Sequence, residues 1–214
     1  MANDIKFRIQ LEKLLVVEGK DEENFFSAAL DNHLKRLDIQ ILGIGGKTLL
    51  AANLKALIRD PNFFSVTSIA IIRDADSLPV GSQITASSAA FQSVVGALTA
   101  QGVGLTSPSN HAEFSIGPPR AGVFIMPDGV SDGMLESLCL ASVVANPEMR
   151  CVEDYFACCL KAGAIPNNLP KAHAHAWLAS RVEPDKRVGE AAKAGYWPFA
   201  SKAFDNLWQF LRAI

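Results

Sequence analysis

No stretch of this sequence stays apolar for long enough to span a bilayer. The N-terminal segment MANDIKFRIQLEK lacks the long apolar core that follows the basic start of a signal peptide. These two absences lead to the expectation of a cytoplasmic protein with no membrane association. Cysteine is scarce, and Cys139, Cys151, Cys158 and Cys159 include no CxxC pair. That argues against a zinc site and for reduced thiols packed in helices. Positive charge is not in excess either: 20 Lys and Arg stand against 22 Asp and Glu, for a net charge of −2. The chain therefore has no global basic footprint for nucleic acid. A local cluster with a bound cation can still do electrostatic work on a phosphate.

From Ser77 to Ala112 there is no Asp, Glu, Lys or Arg at all. A helix is expected within this stretch, around Ile84 to Gln101. Surface helices normally carry charge, so this one is expected to be buried or covered by a partner, whether a separate protein or a second copy. What is present is otherwise ordinary for a globular chain, with 49% hydrophobic and 20% charged residues.

The run LLVV (Leu14 to Val17) reads as a strand buried on both faces, and it stops abruptly at Glu18-Gly19. Residues Lys20 to Leu37 show helical spacing of apolar positions behind an acidic first turn. IQILGIGG (Ile39 to Gly46) reads as a second strand ending in a glycine turn. KTLLAANLKALIRD then reads as a helix stopped by Pro61. SVTSIAIIRDAD (Ser65 to Asp76) is the strongest strand pattern and also ends on acids. AEFSI (from Ala112) and AGVFIMPD (to Asp128) read as two strands flanking the Gly117-Pro118-Pro119 turn. SDGMLESLCLASVV (Ser131 to Val144) reads as a helix capped by Ser131 or Asp132 and carrying one acid, Glu136. The rest reads as short helices separated by prolines.

Alternation of strand and helix predicts an α/β fold with a mostly parallel sheet flanked by helices. The expected organisation is an α/β core over residues 1–145 and a small helical C-terminal extension over 146–214. In such sheets ligands sit at the carboxyl ends of the strands. Glu18, Asp74 with Asp76, and Asp128 all fall at those ends. Like charges gathered there repel, and a divalent cation with hard oxygen ligands removes the conflict. In Asp74-Ala75-Asp76 the i, i+2 spacing places both carboxylates on one side if the backbone stays extended. Gly19 is expected to let the chain turn sharply and let a substrate approach Glu18.

VEGKDEENFF followed by IIRDAD resembles the TOPRIM domain of topoisomerases, primases and OLD-type nucleases, which pairs a Glu-Gly after the first strand with an Asp-x-Asp after a later one. GIGGK fits the glycine-rich turn of that family. MPDGVSDGMLESLCL is similar to the acidic helix of OLD-like nucleases and of small stand-alone TOPRIM-like proteins. The resemblance implies a Rossmann-like TOPRIM core and Mg²⁺- or Mn²⁺-dependent phosphodiester cleavage in a defence or repair setting, on nucleic acid, DNA ahead of RNA. It implies Glu18 as general acid/base or metal ligand, and Asp74, Asp76, Asp21 and Glu136 as metal ligands. It also implies a catalytic lysine, Lys171, with Lys186 as the reserve. Gly19, Lys20, Lys47 and Arg73 are the expected contacts to substrate phosphate. The sequence departs from topoisomerases in having no recognisable Tyr-bearing module, its two tyrosines, Tyr155 and Tyr196, lying in the tail, which argues against strand passage.

Two other readings stand beside this one. One is a TOPRIM-like subunit acting with a separate OLD-like ATPase. The other is a hydrolase of nucleotides or small phosphate esters. GIGGKT ends like a phosphate-binding P-loop, but Ile41 stands where that motif needs glycine, so a turn and helix start is expected there. Glu22 and Glu23 read as helix N-terminal charges, and Asp128 as a cap for the turn before Gly129. The tail aromatics Trp177, Trp197, Phe199, Phe204, Trp208 and Phe210 read as a small core docking the C-terminal segment.

Overall fold

The computed structural model describes residues 7–79, 81–101 and 105–214; the reading of the N-terminal segment over residues 1–6 lies outside them. Four strands form one sheet: β1 (Lys13–Val17), β2 (Ile39–Gly43), β3 (Ser68–Asp74) and β4 (Arg120–Met126). Their order is β2-β1-β3-β4 and every pairing is parallel. Parallel neighbours need a crossover. Helices α1 (Lys20–Ala28), α2 (Leu50–Ile58) and α3 (Ala86–Thr99) supply the three crossovers in turn. The remaining helices are α4 (Leu135–Val143), α5 (Pro147–Lys161), α6 (Leu169–Ala179), α7 (Val188–Lys193) and α8 (Asp205–Arg212).

Side chains alternate across each strand, and here both sets are apolar. Leu15, Val17, Ala70, Ile72 and Phe124 face one layer. Leu14, Val16, Ile69, Ile71 and Val123 face the other. Leu54 and Leu57 of α2 with Val94 and Leu98 of α3 cover the second face. The first face is covered by Phe25 and Phe26 of α1 together with residues of α4 to α8. The tail aromatics belong to that same cluster: Phe25 lies 6.3 Å from Trp208, and Trp177 stacks on Trp197 at 4.7 Å. The indole N–H groups of Trp197 and Trp208 donate to the carbonyls of Val188 and Phe199, as buried indoles usually do, whereas Trp177 Nε1 has no hydrogen-bond partner among the described residues.

Several local expectations change in the folded chain. The helix after Gly19 ends at Ala28 and continues as a wider π-turn over Ala29–Leu34, closed by Lys35 at φ 54°. AEFSI does not become a strand. It lies antiparallel along β4 with one bridge, Phe114 to Gly122. Pro147 and Pro170 sit in the first turns of α5 and α6 rather than between helices, where a missing N–H costs nothing. No helix among the described residues is long and apolar enough to cross a membrane.

Candidate functional site

Glu18 follows β1 directly, and Asp74 is the last residue of the adjacent β3. Because the strands are parallel neighbours, their ends meet. The Glu18 carboxylate accepts from the Asp74 backbone N–H at 3.3 Å and lies 3.6 Å from Nε of Arg73. Asp74 Oδ1 accepts from the Leu135 N–H at 3.1 Å. That donor is one of the first-turn groups of α4 that no intrahelical carbonyl can reach. Asp74 thereby ties the end of β3 to the start of α4, the helix that carries Glu136.

Helix α4 starts later than expected for the same reason. Asp76 and Gly133 exchange two backbone hydrogen bonds, at 2.8 and 2.9 Å, which hold the preceding loop off the helix. Ser131 is occupied elsewhere, donating to Asp128. The extended backbone does not persist through the Asp74-Ala75-Asp76 step. Asp76 adopts φ 61°, a left-handed conformation that Asp tolerates better than most residues. Both carboxylates nevertheless reach the same cleft.

That cleft has a volume of about 450 Å³ and is lined by Glu18, Asp21, Glu22, Asp74, Asp76 and Glu136 among the acids. Gly19, Lys20, Gly45, Gly46, Met134, Asn168, Lys171 and Arg187 complete it. Gly45 and Gly46 have φ of 74° and 104°, so the loop after β2 needs glycine there. The loop closes over the β1 end through a 2.8 Å bond from Gly46 N–H to the Glu18 carbonyl. Gly19 makes no turn that requires glycine, since its φ of −155° is ordinary extended backbone; it lines the cleft beside Glu18, and a Cβ there would sit 3.3 Å from Glu22 Oε2.

The carboxylates disturb one another. Asp74 is held well above the ordinary carboxylate range by burial, then by Glu18, Glu22, Glu136 and Asp76. Burial raises Glu18, Arg73 pulls it back, and Asp76 raises it again. Burial raises Glu22 as well, with Glu136 among the charges adding to it. Three cations offset part of this. Lys47 reaches Asp76 at 2.7 Å, Arg73 stands beside Glu18, and Lys171 lies 3.5 Å from the buried Glu136. Arg73 is largely buried, with no hydrogen-bond partner at Nε or Nη1 among the described residues. It stands behind Glu18 rather than lining the cleft.

The donor set suits a hard cation. Six carboxylates face one wet cleft, although among the described residues no three His, Cys, Asp or Glu side chains gather as a ready-made cage. Mg²⁺ needs no such cage: it takes one or two carboxylates and keeps waters for substrate oxygens, and Mn²⁺ accepts the same ligands. Asp74, Asp76, Glu18, Glu22, Asp21 and Glu136 are the residues able to hold it.

Of the expected residues, Glu18, Gly19, Lys20, Asp21, Asp74, Asp76, Glu136 and Lys171 come together in the cleft. Lys47 reaches it through Asp76. Lys186 does not; it pairs with Glu183 at 2.7 Å. Asp128 lies outside as well, accepting from the Val130 and Ser131 N–H groups and the Ser131 hydroxyl. Glu22 was read as a helix starter, yet it lines the cleft, while Glu23 turns away to Lys20 at 2.8 Å. No spacing signal separated the two, since both are acids in the first turn of α1. Asn168 and Arg187 carry no motif at all.

No curated protein matches this sequence. Among solved structures, the chain is similar to the C-terminal region of the Burkholderia pseudomallei OLD protein. The TM-score is 0.50 at 17% identity, covering 96% of this chain and 98% of that one. The C-terminal region of the Xanthomonas campestris pv. campestris OLD protein is a more distant likeness, with a TM-score of 0.41 at 14% identity over 95% of this chain and 98% of that one. The first of these likenesses bears out the α/β fold with its helical C-terminal part. At the level of sequence, residues 12–214 match the family described as protein of unknown function DUF3226, and the chain belongs to that family.

Proposed function

We propose that this chain is a TOPRIM-type, Mg²⁺- or Mn²⁺-dependent phosphodiester-cleaving enzyme acting on nucleic acid, DNA ahead of RNA. The observation that carries the reading is the meeting of Glu18-Gly19 with Asp74-x-Asp76 at adjacent parallel strand ends, in one cleft with Glu22, Glu136 and Lys171. When bound, the cation supplies positive charge at the phosphate and acidifies a coordinated water. Glu18 is the proton-transfer group. Burial raises its affinity for a proton above that of an ordinary glutamate, the direction that proton-transfer work favours, and Arg73 with the Asp74 N–H orients it. Lys171 is half exposed on the first turn of α6 and is held toward the cleft by Glu136, so its ammonium can meet charge on a substrate oxygen. Likeness in fold to the C-terminal region of an OLD protein supports the same assignment.

Purified protein with Mn²⁺ or Mg²⁺ should nick supercoiled plasmid, and Glu18→Ala and Asp74→Ala should each abolish nicking. Full activity in the Asp74→Ala protein would remove this site from the reaction.

A second reading is favoured by α3. Its inner side is buried in the sheet, while its outer side presents Ser88, Gln92, Ser93, Gly96 and Thr99 without a single charge. Such a face suits coverage by a second copy or by a separate OLD-like ATPase that the chain serves as nuclease subunit. Co-purification of an ATPase from the native source, with nicking that requires ATP, supports it; full activity of an isolated monomer refutes it. Inhibition of nicking by free nucleotides, tested in the same assay, identifies a nucleotide or small phosphate-ester hydrolase instead.

A further inference from the structure

Three cations line the cleft, and two of them are engaged: Lys20 with Glu23 at 2.8 Å and Lys171 with Glu136 at 3.5 Å. The third, Arg187, has a guanidinium that makes no ion pair or side-chain hydrogen bond to an acceptor among the described residues. Of the acids close to it in sequence, Asp185 makes no ion pair with it, Glu183 pairs with Lys186 at 2.7 Å, and Glu190 turns one oxygen to the Arg187 backbone N–H at 3.0 Å.

The placement of Arg187 is built rather than incidental. The residue immediately precedes α7, and α7 is seated directly on α1. A Cβ at Gly189 would lie 2.3 Å from the Asp21 carbonyl oxygen and 2.7 Å from Asn24 Cβ, so only glycine permits this approach. The far end of α7 is pinned by Lys193 Nζ to Asn24 Oδ1 at 2.8 Å. Trp197 Nε1 holds the Val188 carbonyl at 2.9 Å, at the residue next to Arg187. The backbone of Arg187 is thus fixed at the wall of a cleft whose acids outnumber its cations, and its exposed side chain is at liberty to turn to a ligand there. An anionic substrate entering there gains most from the one cation that gives up no existing partner. A guanidinium also grips phosphate through two parallel donors.

We infer that Arg187 anchors a phosphate flanking the one that is cleaved, so that the preferred substrate is a polynucleotide strand rather than an isolated phosphodiester. This rests on the phosphodiester-cleaving reading and adds to that site a residue that selects for a flanking phosphate. The test compares wild type, Arg187→Ala and Arg187→Lys in Mn²⁺. One substrate is a short single-stranded oligodeoxynucleotide; the other is bis(p-nitrophenyl) phosphate, which has no flanking phosphate. Arg187→Ala should raise KM for the oligonucleotide about tenfold, as loss of one charge-assisted contact does, with kcat held within about twofold. Its kinetics on bis(p-nitrophenyl) phosphate should not change, and Arg187→Lys should recover part of the loss. The dependence of log KM on log salt should flatten by about one contact.

Equal losses on both substrates, or an unchanged oligonucleotide KM, would overturn the inference and leave the enzyme reading intact. If wild type cleaves neither substrate, that reading fails. Fluorescence anisotropy of the oligonucleotide in Ca²⁺ then decides the role of Arg187 separately: weaker binding by Arg187→Ala supports it, and equal binding, or none by wild type, overturns it.

Discussion

Replacing Asp74 with Asn should make the metal-free protein more stable while destroying its response to metal. Asp74 is raised well above the usual carboxylate range by burial and then by Glu18, Glu22, Glu136 and Asp76. A raised folded value means that the folded state binds this proton more tightly than the unfolded chain does. Stability is therefore lost as pH climbs from the ordinary carboxylate range to the folded value, and the penalty persists at every higher pH. Asn removes the charge but keeps an oxygen that accepts from the Leu135 N–H, now 3.1 Å away. Each like-charge neighbour across a partly wet cleft costs on the order of 1 kcal/mol. Arg73, Lys47 and Lys171 offset part of the sum, which leaves a net gain of about 2 kcal/mol. For a chain of this size that is a rise in melting midpoint of about 4–8 °C. Thermal denaturation at neutral pH, in chelator and then in Mg²⁺ or Mn²⁺, measures both effects. Wild type should gain stability on adding metal and Asp74→Asn should not. An Asp74→Asn protein that melts at or below wild type in chelator would show that the carboxylates do not strain the fold, and the cation argument would lose its basis.

The two candidate lysines should separate cleanly. Lys171→Ala should lower the nicking rate by about 10²-fold or more, while Lys186→Ala, whose partner is Glu183, should leave it unchanged. Asp128→Ala should lower the unfolding free energy, measured by urea denaturation, by about 1–2 kcal/mol through its lost turn hydrogen bonds, with nicking unaffected. Burial opposes ionisation of Asp128, but its bonds from Ser131 and Val130 prevail and lower it. The deficit of the variant should therefore be full at neutral pH and fade as pH falls through the folded value. Trp208→Ala should cost about 3–5 kcal/mol by opening the cluster around Phe25, Phe204 and Trp208, read as an earlier melting transition.

The parallel sheet was legible because its signals are local. Apolar runs such as LLVV and SIAII keep both faces of a strand buried, and each stops where the chain must leave the sheet. The pairing of Glu18 with Asp74 was legible for a related reason. Acids at the ends of parallel strands have to share an edge, whatever the details of packing. Reading failed where a residue had two uses that look alike in one dimension. Glu22 and Glu23 are both acids in a first helical turn, but one lines the cleft and the other pairs with Lys20. AEFSI alternates like a strand, yet it meets β4 at a single bridge beside Gly122, where a Cβ would overlap the Phe114 ring at 2.6 Å.

Periodicity and strand-end chemistry, both properties of a few neighbouring residues, were enough to specify an α/β layer and an acidic edge. They could not bring the C-terminal helices to that edge. Lys171, Asn168 and Arg187 reach the cleft only because α6 packs on α4 and α7 on α1, contacts between separate elements that no local pattern encodes. Gly189 illustrates the difference. In the sequence it is one glycine among 15. In the folded chain its missing Cβ lets α7 rest on the backbone of Asp21, and that contact brings Arg187 to the wall of the acidic cleft.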